Sequence, residues 1–297
     1  MTSKNLVKRK INDFLQVLGV QLVRLDTLHD LERRYQESDT LREYYKRLVK
    51  NQVRYYWNIR DMVAESRLRC AQIRCPVCEL EQPESLFKSV RSSCTFGGGS
   101  LDRMQCPNCE LVWGPMKIME LTEEEMALEY ENHYTVYEEG DSTSNELRAF
   151  YELDPNPKGV YVNFGSGRWS RSGELLRAQG WKVLDYDPHS LVSYGDLKYR
   201  FMSWGELARQ QVDGVYSNNV LEHLRDPVGV LRSLATVVKK GGKMVHATPC
   251  WEYCYEFTRF HVMFYVGKSG RMVFENAGWE ISSQTWDGEY RSVVVTH

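Results

Sequence analysis

The sequence predicts an α/β fold, in which a mostly parallel sheet carries helices on both faces and closes with an antiparallel hairpin. A helical arm and a small cysteine ribbon precede it. Three observations carry this prediction. From Val160 to Asp187 the chain reads strand, glycine turn, helix, strand, acid. From Val212 to Thr248 apolar runs alternate with a capped helical pattern. Ahead of both stand two pairs with the same spacing, Cys75-Pro-Val-Cys78 and Cys106-Pro-Asn-Cys109. Strands alternating with helices imply parallel pairing, and ligands of such sheets bind at the carboxyl ends of the strands.

Composition narrows the function classes. The 297 residues are ample for more than one domain, and 38 Lys and Arg nearly balance 40 Asp and Glu. A net charge of -2 gives no field that would gather nucleic acid or an anionic membrane, so nucleic acid is not an expected partner. No apolar run reaches membrane-spanning length, and MTSKNLVKRKINDFL lacks a signal-peptide core, so a cytoplasmic location is expected. Eight cysteines that include two spaced pairs suit a metal site in a reducing compartment.

Taken in order, residues 1–72 read as a helical region. Leu6, Ile11, Phe14, Leu15 and Leu18 mark one amphipathic face, with Gly19 as its stop. A second short helix begins near Asp26, and a longer one runs from Asp39 to Ala71 with Tyr44, Tyr45, Trp57 and Met62 among its apolar positions. Glu37, Glu43, Asp61 and Glu65 dilute its basic charge, so its aromatic stripe is read as packing on the body or on a second copy, which would make a homo-oligomer.

Residues 73–137 form the ribbon and a connecting helix. Cys75, Cys78, Cys106 and Cys109 supply four thiolates at the spacing of a tetrahedral structural zinc site, with no coordination position left for water. Cys70 and Cys94 fall outside that pattern. Thr122 and Glu125 form a capping box that opens a helix. Residues 138–158 turn polar and read as a linker with one short helix near Glu146 to Tyr151.

Residues 159–297 carry the candidate nucleoside site. Gly165-Ser166-Gly167 lets the backbone approach a ligand, and the following helix aims its N-terminal amides at it. Asp187, twenty residues after Gly167, ends the next strand where a carboxylate can accept ribose hydroxyls. Asp226-Pro227 opens a helix that Gly241-Gly242 would stop, and Lys243 to Thr248 is a further strand. Trp279 to Trp286 and Arg291 to Thr296 read as a closing strand pair.

Cys106-Pro-Asn-Cys109-Glu-Leu-Val-Trp113-Gly-Pro115, followed by an acidic helix, resembles the zinc-ribbon lead-in of many bacterial class I methyltransferases. Gly165-Ser-Gly167, Asp187-Pro188 and SNNVLEHLRDPVGVLRSLATVVKKGGKMVHATP resemble the S-adenosylmethionine-dependent domain itself. The resemblance implies that Gly165, Ser166 and Gly167 pack against the methionine moiety and that Asp187 and Pro188 meet the ribose. It places Met202 beside the adenine and Asn218 and Asn219 at the sulfonium pocket. Two positions depart from the family: Asn163 stands where an acid is usual, and Trp169 where a third glycine is common. Asn163 can hydrogen-bond, but it cannot offset the charge of the cofactor's amino group.

The resemblance makes His223 and His261 the candidate catalytic residues. His223 follows the strand Val212 to Ser217, and the unperturbed pKa of a histidine side chain suits a general base; holding nearby backbone is its structural alternative. The acid that some relatives place three residues before Glu222 is here Asn219, so no catalytic metal is expected. His246 reads as core. The expected activity is methyl transfer to a small molecule or a saccharide, the sugar resting on association with surface-polysaccharide and modified-sugar pathways. The alternative is a zinc-ribbon scaffold with a degenerate cofactor fold. An RNA methyltransferase fits the charge poorly, and a dinucleotide oxidoreductase leaves Asn-Asn-Val-Leu-Glu-His without a role.

Overall fold

In the computed structural model the described residues are 25–66, 72–137, 140–167, 170–188, 200–201 and 203–297. The helix expected at Leu6 to Leu18, together with Cys70, Trp169 and Met202, lies outside them. The chain forms two compact units, Met1–Asn51 and Gln52–His297. In place of two N-terminal helices, one continuous helix spans Leu25–Ser66. No Gly or Pro falls between Asp26 and Ala71 to break the pattern, so the backbone continues through the polar stretch around Asp39. No described helix is long and apolar enough to cross a membrane.

The second unit is built on a seven-stranded sheet in the order β12-β13-β10-β9-β6-β7-β8. Its strands are β6 (Val160–Phe164), β7 (Lys182–Tyr186), β8 (Arg200–Phe201), β9 (Val212–Asn218), β10 (Val238–Ala247), β12 (Glu280–Asp287) and β13 (Tyr290–Thr296). The five strands from β8 to β10 are parallel. β13 joins β10 antiparallel and β12 joins β13 antiparallel, as expected of the closing hairpin. β6 lies between β7 and β9, which puts the reversal of winding between β6 and β9, where ligands of open sheets bind.

Two elements differ from the sequence reading. The helix foreseen inside a linker spans Thr143–Glu152, and its Ala149 and Phe150 pack in the core with Tyr161, Leu176, Val183, Tyr216 and Val245. A fully buried Phe of this kind contributes about 2–3 kcal/mol. Its polar flanks, Glu-Glu-Gly-Asp-Ser and Asp-Pro-Asn-Pro, conceal in the sequence that this helix packs into the core. Gly241-Gly242, expected to stop a helix, lie inside β10, because the helix already ends at Leu234 and Val238 pairs with Val212. The strand is irregular between Val238 and Lys243, and a Cβ on Gly242 would meet the Asp213 carbonyl at 2.8 Å.

The cysteine region is a four-stranded antiparallel sheet, β11-β5-β4-β3, made of β3 (Lys88–Ser93), β4 (Ser100–Gln105), β5 (Val112–Trp113) and β11 (Met263–Phe264). β11 follows β10 in the chain, so a segment from beyond the parallel strands pairs with the ribbon. Two buried arginines strengthen this junction. Arg103 of β4 donates to the carbonyls of Glu256 (2.7 Å), Thr258 (2.9 Å) and His261 (3.0 Å) and covers the Phe264 ring. Arg259 donates to Glu129 (2.9 Å), whose carboxylate also accepts from the Trp57 indole (3.1 Å). Such buried charges hold only because each finds partners. The capping box at Thr122 and Glu125 opens the helix Glu123–Val136, as its sequence predicts.

Candidate active site and cysteine cluster

The glycine turn leaves β6 with Gly165 at φ +74 and Gly167 at φ +66. A Cβ on Gly165 would meet Val220 at 2.4 Å, so both conformation and space demand glycine there. At Gly167 no described residue lies within 4 Å of a Cβ, which leaves a cradle beside the turn among the described residues. Asp187, at the end of β7, accepts the Gly167 amide at 2.8 Å, bringing the acid of one strand onto the turn of its neighbour. Ser166 Oγ and Asn218 Nδ2 are buried without a hydrogen-bond partner among the described residues. Unsatisfied buried groups are costly, and polar atoms of a ligand in the cradle would satisfy them. Asn219 follows at φ +55 and is exposed, and Pro188 is exposed as well. The residues present therefore fit a nucleoside cofactor. Met202, outside the described residues, takes no part in this test.

Below the cradle, β9 ends in a short 3₁₀ turn, Leu221–His223. His223 Nδ1 lies 3.0 Å from the Phe260 carbonyl, an atom that can only accept. Nδ1 therefore carries the proton, and the lone pair of the neutral ring sits on Nε2. The ring centre of His261 is 5.0 Å away and that of Tyr130 is 6.3 Å away. Burial holds His261 well below the usual histidine range, and neighbouring His223 and Arg103 push it further in that direction. Its Nδ1 is 3.5 Å from the Cys250 thiol, itself pushed up by burial. Glu222 is wholly buried, and desolvation raises its carboxyl from 4.5 to about 7. The donor atoms of Glu222, His223 and His261 lie within 4.8 Å of one another.

The sequence names both histidines as candidates, and the fold brings their rings together. It conceals the loop's anchors. Arg103 sits in β4, and its one signal is a charge at a position of a half-buried strand where an apolar residue is expected. Tyr130, whose ring stacks on Phe260 at 5.0 Å, lies on an acidic helix with no strong apolar face. His246 is core, as expected, buried against Phe274 with Nδ1 2.8 Å from the Ser217 hydroxyl.

The cysteine cluster is assembled by two copies of one turn. Cys75 N donates to Leu80 O and Glu79 N to Cys75 O; Cys106 N donates to Leu111 O and Glu110 N to Cys106 O. Both turns place a glutamate at positive φ, Glu79 at +59 and Glu110 at +70. Cys75 and Cys109 sulfurs lie 3.6 Å apart, and those of Cys78 and Cys106 3.5 Å apart. Sulfurs at about 2.3 Å from a tetrahedral zinc stand about 3.8 Å from one another, so the donor set fits that ion. The Cys109 thiol draws Cys75 down to about 6, while the same contact pushes Cys109 up. Cys94 is not part of the four.

A family model described as a methyltransferase domain matches residues 145–284. Those residues are a methyltransferase domain. Its match opens within the helix Thr143–Glu152, in agreement with the burial of Phe150. The ubiquinone biosynthesis O-methyltransferase of Xanthomonas axonopodis pv. citri is 38% identical over 98 residues, 29% of this chain and 41% of that protein. The enzyme of the same name from Xanthomonas euvesicatoria pv. vesicatoria is 34% identical over 118 residues, 36% of this chain and 46% of that protein. The chain thus spans less than half the length of these relatives. Among solved structures, the 1,6-didemethyltoxoflavin-N1-methyltransferase of Burkholderia thailandensis is 12% identical, with a TM-score of 0.45 over 67% of this chain and 96% of that one.

Proposed function

We propose that the protein transfers a methyl group from S-adenosylmethionine to a hydroxyl of a small acceptor, with His223 as general base. The observation that carries this reading is the tautomer of His223. Its Nδ1–H is engaged by the Phe260 carbonyl, so the proton-accepting Nε2 belongs to a ring held in one orientation just beyond Asn218. S-adenosylmethionine supplies a methyl on a sulfonium, a strong leaving group. The chain's own residues position the acceptor and take its proton. Gly165, Ser166, Gly167 and Asn218 would hold the methionine end, and Asp187 and Pro188 the ribose. His261, kept neutral, would serve as a hydrogen-bonding partner of the acceptor. The O-methyltransferase names of the curated relatives support a hydroxyl acceptor. A saccharide remains within the class, because the rings of Tyr130, Tyr253 and Tyr255 pack equally on sugars and on planar rings.

The proposal includes a structural zinc on Cys75, Cys78, Cys106 and Cys109, supported by the convergence of four sulfurs. It also includes self-association, supported by Tyr55, Ile59 and Met62, which are exposed on the Leu25–Ser66 helix. Light scattering tests the latter, and a monomer at working concentration would remove it.

The activity is tested with methyl-labelled S-adenosylmethionine and two acceptor sets, nucleotide-linked sugars and polyhydroxylated aromatics. Label should move to an acceptor in the parent and fall by about 10²–10⁴-fold in His223→Ala, with cofactor affinity unchanged. Transfer that is insensitive to His223→Ala would remove the base role.

A further inference from the structure

We propose that Glu146, on the helix Thr143–Glu152, supplies the negative charge for the ammonium group of S-adenosylmethionine in place of the acid that β6 lacks. The inference rests on the cofactor reading above and adds a residue to it. Asn163 occupies the acid's position near the end of β6 and is 2% exposed, so it has little choice of partners. Its Nδ2 donates to Ser170 Oγ at 3.0 Å and reaches Glu146 Oε2 at 3.4 Å. The Ser172 hydroxyl donates to the same carboxylate oxygen, and the Ser142 hydroxyl to the other. Ser170 caps the helix Arg171–Ala178, which follows the glycine turn, by accepting the Gly173 amide. Glu146 therefore meets the turn's two anchors, the end of β6 and the first turn of the next helix.

The charge balance singles it out. Asp185, the other carboxylate in this cluster, is matched by Arg177 at 3.0 Å. Among the described residues Glu146 forms no ion pair, and three of its neighbours are neutral donors. The field of a half-buried carboxylate whose hydrogen-bond donors are neutral reaches over several ångströms where water is scarce. An ammonium seated at the glycine turn would be the missing counter-charge. The family's acid is thus moved from the strand to the helix behind it, with Asn163 as the bridge.

The competing account is that Glu146 only ties two helices together. Calorimetry with three probes separates the two: S-adenosylmethionine and S-adenosylhomocysteine carry the ammonium, whereas 5′-methylthioadenosine has the nucleoside and sulfur without it. Glu146→Gln preserves shape and most hydrogen bonding. It should weaken both ammonium ligands by about tenfold and leave 5′-methylthioadenosine unchanged. Asn163→Asp added to Glu146→Gln should recover most of the loss. Unchanged S-adenosylmethionine binding, or equal weakening of all three probes, would overturn the proposal. A folded parent that binds none of them would overturn the cofactor reading itself.

Discussion

His223 and Glu222 are neighbours with opposite demands. The histidine is fixed by a backbone carbonyl, while the glutamate is buried and raised to about 7 by desolvation. Since the folded protein holds that proton more tightly than an unfolded chain with a carboxyl near 4.5, stability is fullest below about 4.5 and is lost as pH rises toward 7. Glu222→Gln removes the titration. Relative to the parent, it should gain up to about 3 kcal/mol between pH 4.5 and pH 8. Denaturant melts at those two pH values measure this, and a pH-independent difference would contradict the burial. At Gly165 the constraint is steric: Gly165→Ala should abolish cofactor binding and destabilise the fold by more than about 1 kcal/mol, because the new Cβ meets Val220 in a strained backbone conformation. Thermal melts and cofactor titration check both effects, and a stable, binding Gly165→Ala would show that the turn tolerates a side chain. Glycines announce such turns in a sequence, which is why Gly165 and Gly167 were legible. Glu222's environment was not, because it depends on Thr248 and Tyr265, which lie far away in the chain.

At the scale of elements, the cysteine ribbon and the histidine loop share a sheet. β11 pairs Met263 with Trp113 two residues beyond His261, Gly114 N donates to the Val262 carbonyl at 3.0 Å, and Val262 N donates to the Glu222 carbonyl at 2.8 Å. With the proposed zinc bound, the four thiolates would fix β5, which in turn would fix the backbone that carries His261. Removing the metal with a chelator should loosen β3, β4, β5 and β11 together, visible as faster amide exchange. Methyl transfer should fall, while cofactor affinity stays near that of the loaded protein, because the glycine turn and Asp187 belong to other strands. Exchange confined to the two cysteine turns would break this chain of argument. The paired cysteine motif predicted the cluster, and its identical turns explain why spacing sufficed. The sequence could not show β11, since Met263-Phe264 is a two-residue strand whose partner lies about 150 residues earlier.

For the whole molecule, a parallel sheet with a closing hairpin was readable because helices follow β6, β8 and β9 and the last two strands are neighbours in sequence. The domain's start was less readable: Phe150 and Ala149 lie on a helix framed by turn residues, and their burial depends on Tyr161, Tyr216 and Val245 rather than on local pattern. The fold places the glycine turn, Asp187 and Asn218 at the carboxyl ends of β6, β7 and β9, and the cofactor claim depends on that convergence. The most direct test is calorimetric titration with S-adenosylmethionine of the folded, metal-loaded protein and of Asp187→Ala. The account predicts binding by the parent and a loss of roughly 1–3 kcal/mol in the variant, from the missing charge-assisted hydrogen bonds. Equal binding by the two proteins, or none by the parent, would contradict it.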